Sequence, residues 1–109
     1  MKLTHSLVLV AGAILDTDFE TDGRIWGYAL SKRSGVRSGV LYPQLDRMIG
    51  KGKGKGWLED HWESPDEARG KRPSRRYYTV TDAGRSNLGA VVRRAAGKPR
   101  FAGLKVRPA

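Results

Sequence analysis

The residues able to do chemistry in this chain are cations rather than catalytic groups. Arg69, Lys71, Arg72, Arg75 and Arg76 place five cations and no acid within eight residues. Lys51, Lys53 and Lys55 alternate with glycine through Gly50 to Gly56. Runs of this kind hold phosphate oxygens through charge and hydrogen bonds, with arginine favoured beside a nucleic-acid backbone or minor groove. The glycine run is not a nucleotide motif. A Walker loop needs a glycine five places after its first, and here every odd offset falls on lysine; the dinucleotide pattern fails for the same reason. With no cysteine, the chain has no disulfide, thiolate zinc site or cysteine nucleophile, and His5 and His61 cannot make a metal site alone. No histidine–carboxylate–serine arrangement has a supporting context. The expectation is a non-enzyme with no cofactor and no metal, whose partner is a polyanion.

Length and charge agree. The 109 residues fit one domain with a small core, and 21 Lys+Arg against 11 Asp+Glu give +10. The charge is segregated: −2 over residues 1–31, +6 over 32–58, −5 over 59–68, +5 over 69–78 and +6 over 79–109. Two basic blocks therefore flank an acidic one, Glu59, Asp60, Glu63, Asp66 and Glu67. No apolar run approaches the roughly 20 residues of a membrane helix. The run before Ala11-Gly12-Ala13 is too short for a signal peptide, so a cytoplasmic protein is expected.

The elements that would position these cations follow from periodicity. Leu7, Val10 or Ala11, and Ile14 predict a helix over 4–15. Asp16 to Gly23 reads as an acidic turn, with Thr21 or Asp22 capping a second helix from Arg24 to Arg33 that buries Trp26, Ala29 and Leu30. Ser34-Gly35 ends it, with Val36 filling the corner. Ser38 caps a third helix to Ile49, with Leu41, Leu45, Met48 and Ile49 as its apolar stripe. Trp57 to Glu63 and Arg75 to Thr81 read as the strands of a hairpin, with Leu58, Trp62, Tyr78 and Val80 turned inward. Thr81 caps a last helix from Asp82 to about Ala96, ended by Gly97 and Pro99.

Three helices, a two-stranded hairpin and a further helix make an α+β winged helix-turn-helix, whose third helix enters the major groove of double-stranded DNA. On a helical wheel Leu45 and Met48 fall within about 40° of Leu41. Gly39, Val40, Pro43 and Arg47 take the other side, a small surface ending in a side chain that reaches a guanine or a phosphate. The wing contributes Arg69, Lys71, Arg72 and Arg75.

Trp26-Gly27-Tyr28-Ala29-Leu30, Ser38-Gly39-Val40-Leu41-Tyr42-Pro43-Gln44-Leu45, Gly56-Trp57-Leu58-Glu59 and Arg75-Arg76-Tyr77-Tyr78-Thr79-Val80-Thr81-Asp82-Ala83-Gly84 resemble the PadR family of transcriptional regulators. The resemblance covers roughly residues 5–92. It implies a winged-helix repressor binding an inverted repeat as a homodimer, through the C-terminal helix, about 81–96, and the first helix of the partner subunit. It places Ser38, Val40, Tyr42, Pro43 and Arg47 at or beside the DNA; packing of Tyr42 against the preceding helix is the alternative. Two departures from the family pattern stand out. Extra Gly-Lys pairs lie between the third helix and the wing, and the last helix is short. Residues 1–96 form the expected domain, and 97–109 a flexible basic tail.

Two other functions remain open. One is a general DNA- or RNA-associated basic protein, favoured by the Gly-Lys loop and the tail. The other is a protein–protein module displaying Trp57, Trp62 and Tyr77. Neither the operator nor a small-molecule effector is written in the sequence.

Overall fold

Apolar residues occupy almost every side of the first long segment, and the helix they form is buried on almost every side. In the computed structural model, which describes residues 2–21, 23–50, 55–68 and 73–103, helix α1 spans His5–Glu20 and buries Leu7, Val8, Val10, Ala11, Ala13 and Ile14. Thr4 caps it, its Oγ1 accepting the Leu7 N–H at 3.1 Å. The helix continues five residues past the expected end because its acidic last turns have partners. Thr17 is buried and donates to the Ala13 carbonyl at 2.7 Å, Asp18 takes Arg85, and Glu20 takes Arg33.

The second helix begins later than expected. Ile25–Trp26 form a short strand, β1, and α2 covers Gly27–Ser34. The buried side chain of Ile25 and the pairing Ile25↔Tyr78, Trp26↔Tyr77 outweigh the helical spacing of the segment. Trp26 consequently sits half-buried on the sheet, against Tyr77, instead of inside a helix. Gly35 turns the chain at φ 72°, in the left-handed region that favours glycine. Val36 is buried under that corner, and α3 follows at Ser38–Met48. Arg37, not Ser38, occupies its cap position. Leu41, Leu45 and Met48 are fully buried.

Strands β2, Leu58–Trp62, and β3, Arg76–Val80, pair antiparallel with Leu58 opposite Val80 and Trp62 opposite Arg76. The sheet therefore has three strands, ordered β1-β3-β2, where the sequence predicted two. Leu58, Tyr78 and Val80 face the core as expected; Trp62 does not and is 64% exposed. A single helical turn, α4 at Pro65–Ala68, interrupts the hairpin connection. Ser64 and Glu67 cap it reciprocally, each side chain taking the other's backbone N–H at 3.1 Å.

Helix α5, Asp82–Ala96, lies along α1 and buries Leu88, Val91, Val92 and Ala95. Its start is locked to the wing. Thr81 Oγ1 accepts the Gly84 N–H at 3.0 Å and donates to the Gly56 carbonyl at 2.7 Å. A Cβ on Gly84 would stand 2.8 Å from the carbonyl carbon of Trp57, and closer still to its oxygen. The Thr-x-x-Gly motif is thus the place where two backbones cross. Residues 97–103, expected to open a flexible tail, return to the body: a 3₁₀ turn at Pro99–Phe101 buries Phe101 edge-on to the His5 ring. Residues 104–109 lie outside the described residues.

Candidate nucleic-acid interface

Burial of Leu41, Gln44, Leu45 and Met48 turns the other residues of α3 outward. Ser38, Gly39, Val40, Tyr42, Pro43, Asp46 and Arg47 are all exposed, so each α3 residue expected beside DNA is available to a partner. For Tyr42, the structure shows the packing alternative and leaves part of the side chain exposed. Its ring rests on Gly27 at the start of α2, where an added Cβ would come within 2.9 Å of two ring carbons, and the side chain remains 39% exposed. Gly27 thereby brings the two helices together, and the tyrosine edge stays on the surface beside Pro43.

The wing treats its charges differently. Arg69, Lys71 and Arg72 lie outside the described residues. Arg75 is exposed, with its guanidinium 5.7 Å from the centre of the Tyr28 ring. Its backbone N–H donates to Glu63 Oε1 at 2.9 Å. Arg76 is committed inward: it donates to Asp60 at 2.9 Å, approaches Asp46 of α3 at 3.7 Å, and lies over the Tyr78 ring. That ring is buried, and desolvation raises the phenol above its ordinary pKa. Among the lysines of the Gly-Lys run, Lys51 and Lys53 are outside the described residues, while the Lys55 N–H donates to the Arg47 carbonyl at 3.0 Å.

The acidic block acquires a meaning here. Asp60 holds Arg76, Glu63 holds the Arg75 backbone, and Glu67 takes Arg24 together with the Ser64 N–H. These bonds keep the Glu67 carboxyl below its usual range, the Ser64 N–H contributing most. On the far side of the sheet, Tyr77 stacks on His61, tilts against Trp26 and carries Arg24 at 4.6 Å from its centre. Tyr77 is therefore half-covered, and Trp57 packs against the core; of the aromatics in the protein-contact reading, Trp62 is the open one.

Tyr28 is the residue of this surface that sequence reasoning passed over. It is 54% exposed and meets Arg75 across the gap between α2 and β3. Its place in Trp-Gly-Tyr beside Gly27 was the available signal. The assembled surface comprises the outer face of α3, the Tyr28–Arg75 contact and the root of the wing. It presents shallow apolar and aromatic ground between cations, which suits close approach to base edges with flanking phosphate contacts.

Among the described residues no group of three His, Asp or Glu side chains is placed to hold a metal, and no helix is long and apolar enough to cross a membrane. No curated protein and no solved structure matches the chain. The family model of PadR-like transcriptional regulators does match, over residues 21–90, from β1 through most of α5. With well over half of its length in that match, and with a winged-helix fold, the chain belongs to the PadR-like family of transcriptional regulators.

Proposed function

We propose that this chain is a sequence-specific repressor that binds an inverted-repeat operator in double-stranded DNA as a homodimer in the cytoplasm. The observation that carries the reading is the division of α3 into a fully buried stripe, Leu41, Leu45 and Met48, and an exposed one, Ser38, Val40, Tyr42, Pro43 and Arg47. Arg47 reads bases or anchors the helix in the groove. Arg75, with Arg69, Lys71 and Arg72 of the wing, holds the flanking backbone. Pairing through α1 and α5 would space two such helices one turn of DNA apart. Phe19, on the last turn of α1 and 88% exposed, is the apolar side chain that pairing would cover.

Fluorescence anisotropy with the duplex upstream of the chain's own gene, against a shuffled duplex at near-physiological salt, tests this. A preference of about 10³ or more supports specific recognition. Equal, steeply salt-dependent binding to this duplex, and to sites from a genome-wide selection, would replace the reading with general nucleic-acid association. Sedimentation of the Phe19→Asp variant addresses the dimer: it should run as a monomer where the parent chain runs as a dimer.

A further inference from the structure

A notch of about 400 Å3 opens between the start of α1 and the flank of α3, lined by Lys2, Thr4, Ser6, Leu7, Gln44 and Arg47. Its lining holds two cations and no acid. Helix α1 also has no acidic residue in its first turn to offset the positive end of its dipole, whereas α5 has Asp82 there.

The second observation is Gln44. Its side chain is 5% exposed, its Nε2 donates to Ser6 Oγ at 2.8 Å, and its Oε1 is buried without a partner. An unpaired buried polar atom is unfavourable, and a carboxamide is almost the same shape after a half-turn about its last bond. In the turned form Oε1 accepts from the Ser6 hydroxyl, and Nε2 becomes the end without a partner, a donor in a side chain that lines the notch. An anion selects that form and satisfies both ends of the amide.

We propose that this notch binds a phosphate group, and that the phosphate belongs to the backbone of the duplex that α3 reads. Lys2 and Arg47 supply charge; Gln44 and the backbone N–H groups of His5 and Ser6, which the Thr4 cap leaves over, supply hydrogen bonds. The assignment rests on the duplex-DNA reading and adds to it a phosphate contact in which the start of α1 joins Arg47 at the edge of the α3 face. Gln44 follows Val40 by one turn and precedes Arg47 by another, so the notch borders the proposed reading face. The segment after α5 steadies the site. His5 Nε2 meets the Arg100 carbonyl at 2.9 Å, Arg100 Nη2 donates to the Leu3 carbonyl at 3.1 Å, and Phe101 is buried beside them.

Anisotropy with a random-sequence duplex over a range of salt tests the site, because phosphate contacts ignore sequence. Lys2→Ala, at an exposed position, should weaken binding and lower the slope of log affinity against log salt by about 0.9, the share of one phosphate contact. Gln44→Glu should weaken binding about tenfold by placing a carboxylate beside the phosphate. Gln44→Met, which removes the amide without adding charge, should weaken it less. If Gln44→Glu lowers the melting temperature, Lys2→Ala decides. Wild-type affinity and slope in both Lys2→Ala and Gln44→Glu, with Arg75→Ala still weakened, would overturn the notch and leave the DNA reading intact. A parent chain that binds no duplex would overturn both. Exchanging chloride for inorganic phosphate at constant ionic strength separates the two sources of the group. Displacement of duplex from the parent chain but not from Gln44→Glu would show duplex and phosphate competing for the notch and supports the backbone assignment; a phosphate-dependent rise in melting temperature of the parent chain but not of Gln44→Glu, with no displacement of duplex, would assign the notch to a free phosphate and overturn it.

Discussion

Helix α3 and the wing lie side by side, and each is seated by a glycine, yet they are held in place by different physics. Leu41, Leu45 and Met48 anchor α3 in the core and leave Ser38, Val40, Tyr42 and Pro43 exposed, and among the described residues no ion pair holds Arg47. Among its described residues the hairpin buries three apolar strand side chains, Leu58, Tyr78 and Val80. Its shape is kept by its own charges: Arg76 on Asp60, the Arg75 backbone on Glu63, and Glu67 on Arg24. A cation in a well-packed element is therefore available to a ligand, while a cation in a thin element is as often part of the scaffold. Of the two described arginines at the root of the wing, Arg76 belongs to the scaffold and Arg75 to the surface, which a count of arginines does not distinguish.

The two glycines give the sharpest test. At Gly84 the opposing atoms are the backbone of Trp57, tied there by the Thr81 N–H at 3.0 Å, and cannot yield without moving the whole wing. Gly84→Ala should cost about 3 kcal/mol, the upper end of ordinary overpacking, read as a lower midpoint in urea denaturation. A midpoint within error of the parent chain would mean that the wing root is not locked to α5.

Next come the arginines, which the comparison sorts into two kinds. Arg76→Met takes the arginine away from Asp60, whose side chain is only 13% exposed, and should destabilise the fold by about 2 kcal/mol. Its effect on DNA should vanish once binding is expressed per folded molecule. Arg47→Ala should do the reverse: stability within about 0.5 kcal/mol of the parent and a loss of about 2 kcal/mol in discrimination between operator and random duplex. Equal losses on both duplexes for Arg47→Ala would make it a phosphate anchor rather than a base reader. The paired measurement is thermal melting alongside anisotropy.

Which cations are committed was not legible in the sequence, and the reason is general. The buried stripe of α3, the Thr81 cap and the extent of α5 are written in neighbouring residues, and local spacing finds them. Strand β1 is invisible locally, because Ile25 and Trp26 become a strand only by pairing with Tyr78 and Tyr77, far along the chain. The last turns of α1 look like an acidic turn until Arg33 and Arg85 arrive from other helices. Arg75 and Arg76 are adjacent and identical in type, yet alternation across a strand sends one to solvent and the other to Asp60. The candidate site was thus legible as a helix face and illegible as a charge inventory.

Gly27 tests the softer side of the comparison. The atoms opposing a Cβ there are the far end of the Tyr42 side chain, which can swing away, where at Gly84 they are backbone. Gly27→Ala should therefore cost only about 1 kcal/mol in urea. It should nonetheless change duplex discrimination, since the displaced ring lies on the reading face. A stability loss as large as that of Gly84→Ala would show that Tyr42 is fixed by more than its seat on Gly27.

The smallest expected effect belongs to Glu67. Its carboxyl lies below the usual range first through the Ser64 N–H and then through Arg24. A carboxyl with a folded pKa below its unfolded one stabilises the fold at pH above the unfolded value, and that contribution disappears as the pH falls through the folded value. The bond is therefore intact near neutrality and is lost only below the ordinary carboxylate range. Because the pair is exposed, its loss should loosen α4 and the base of the wing without unfolding the domain. Carbon-detected NMR titration should give Glu67 a midpoint below that of a free glutamate, and Arg24→Gln should bring it part of the way back. The Tyr77 ring, which carries Arg24, should report the same midpoint through its chemical shifts, while the Tyr42 ring on α3 stays silent. If Tyr42 follows Glu67, the wing and α3 are coupled through charge, and the division drawn between them is too sharp.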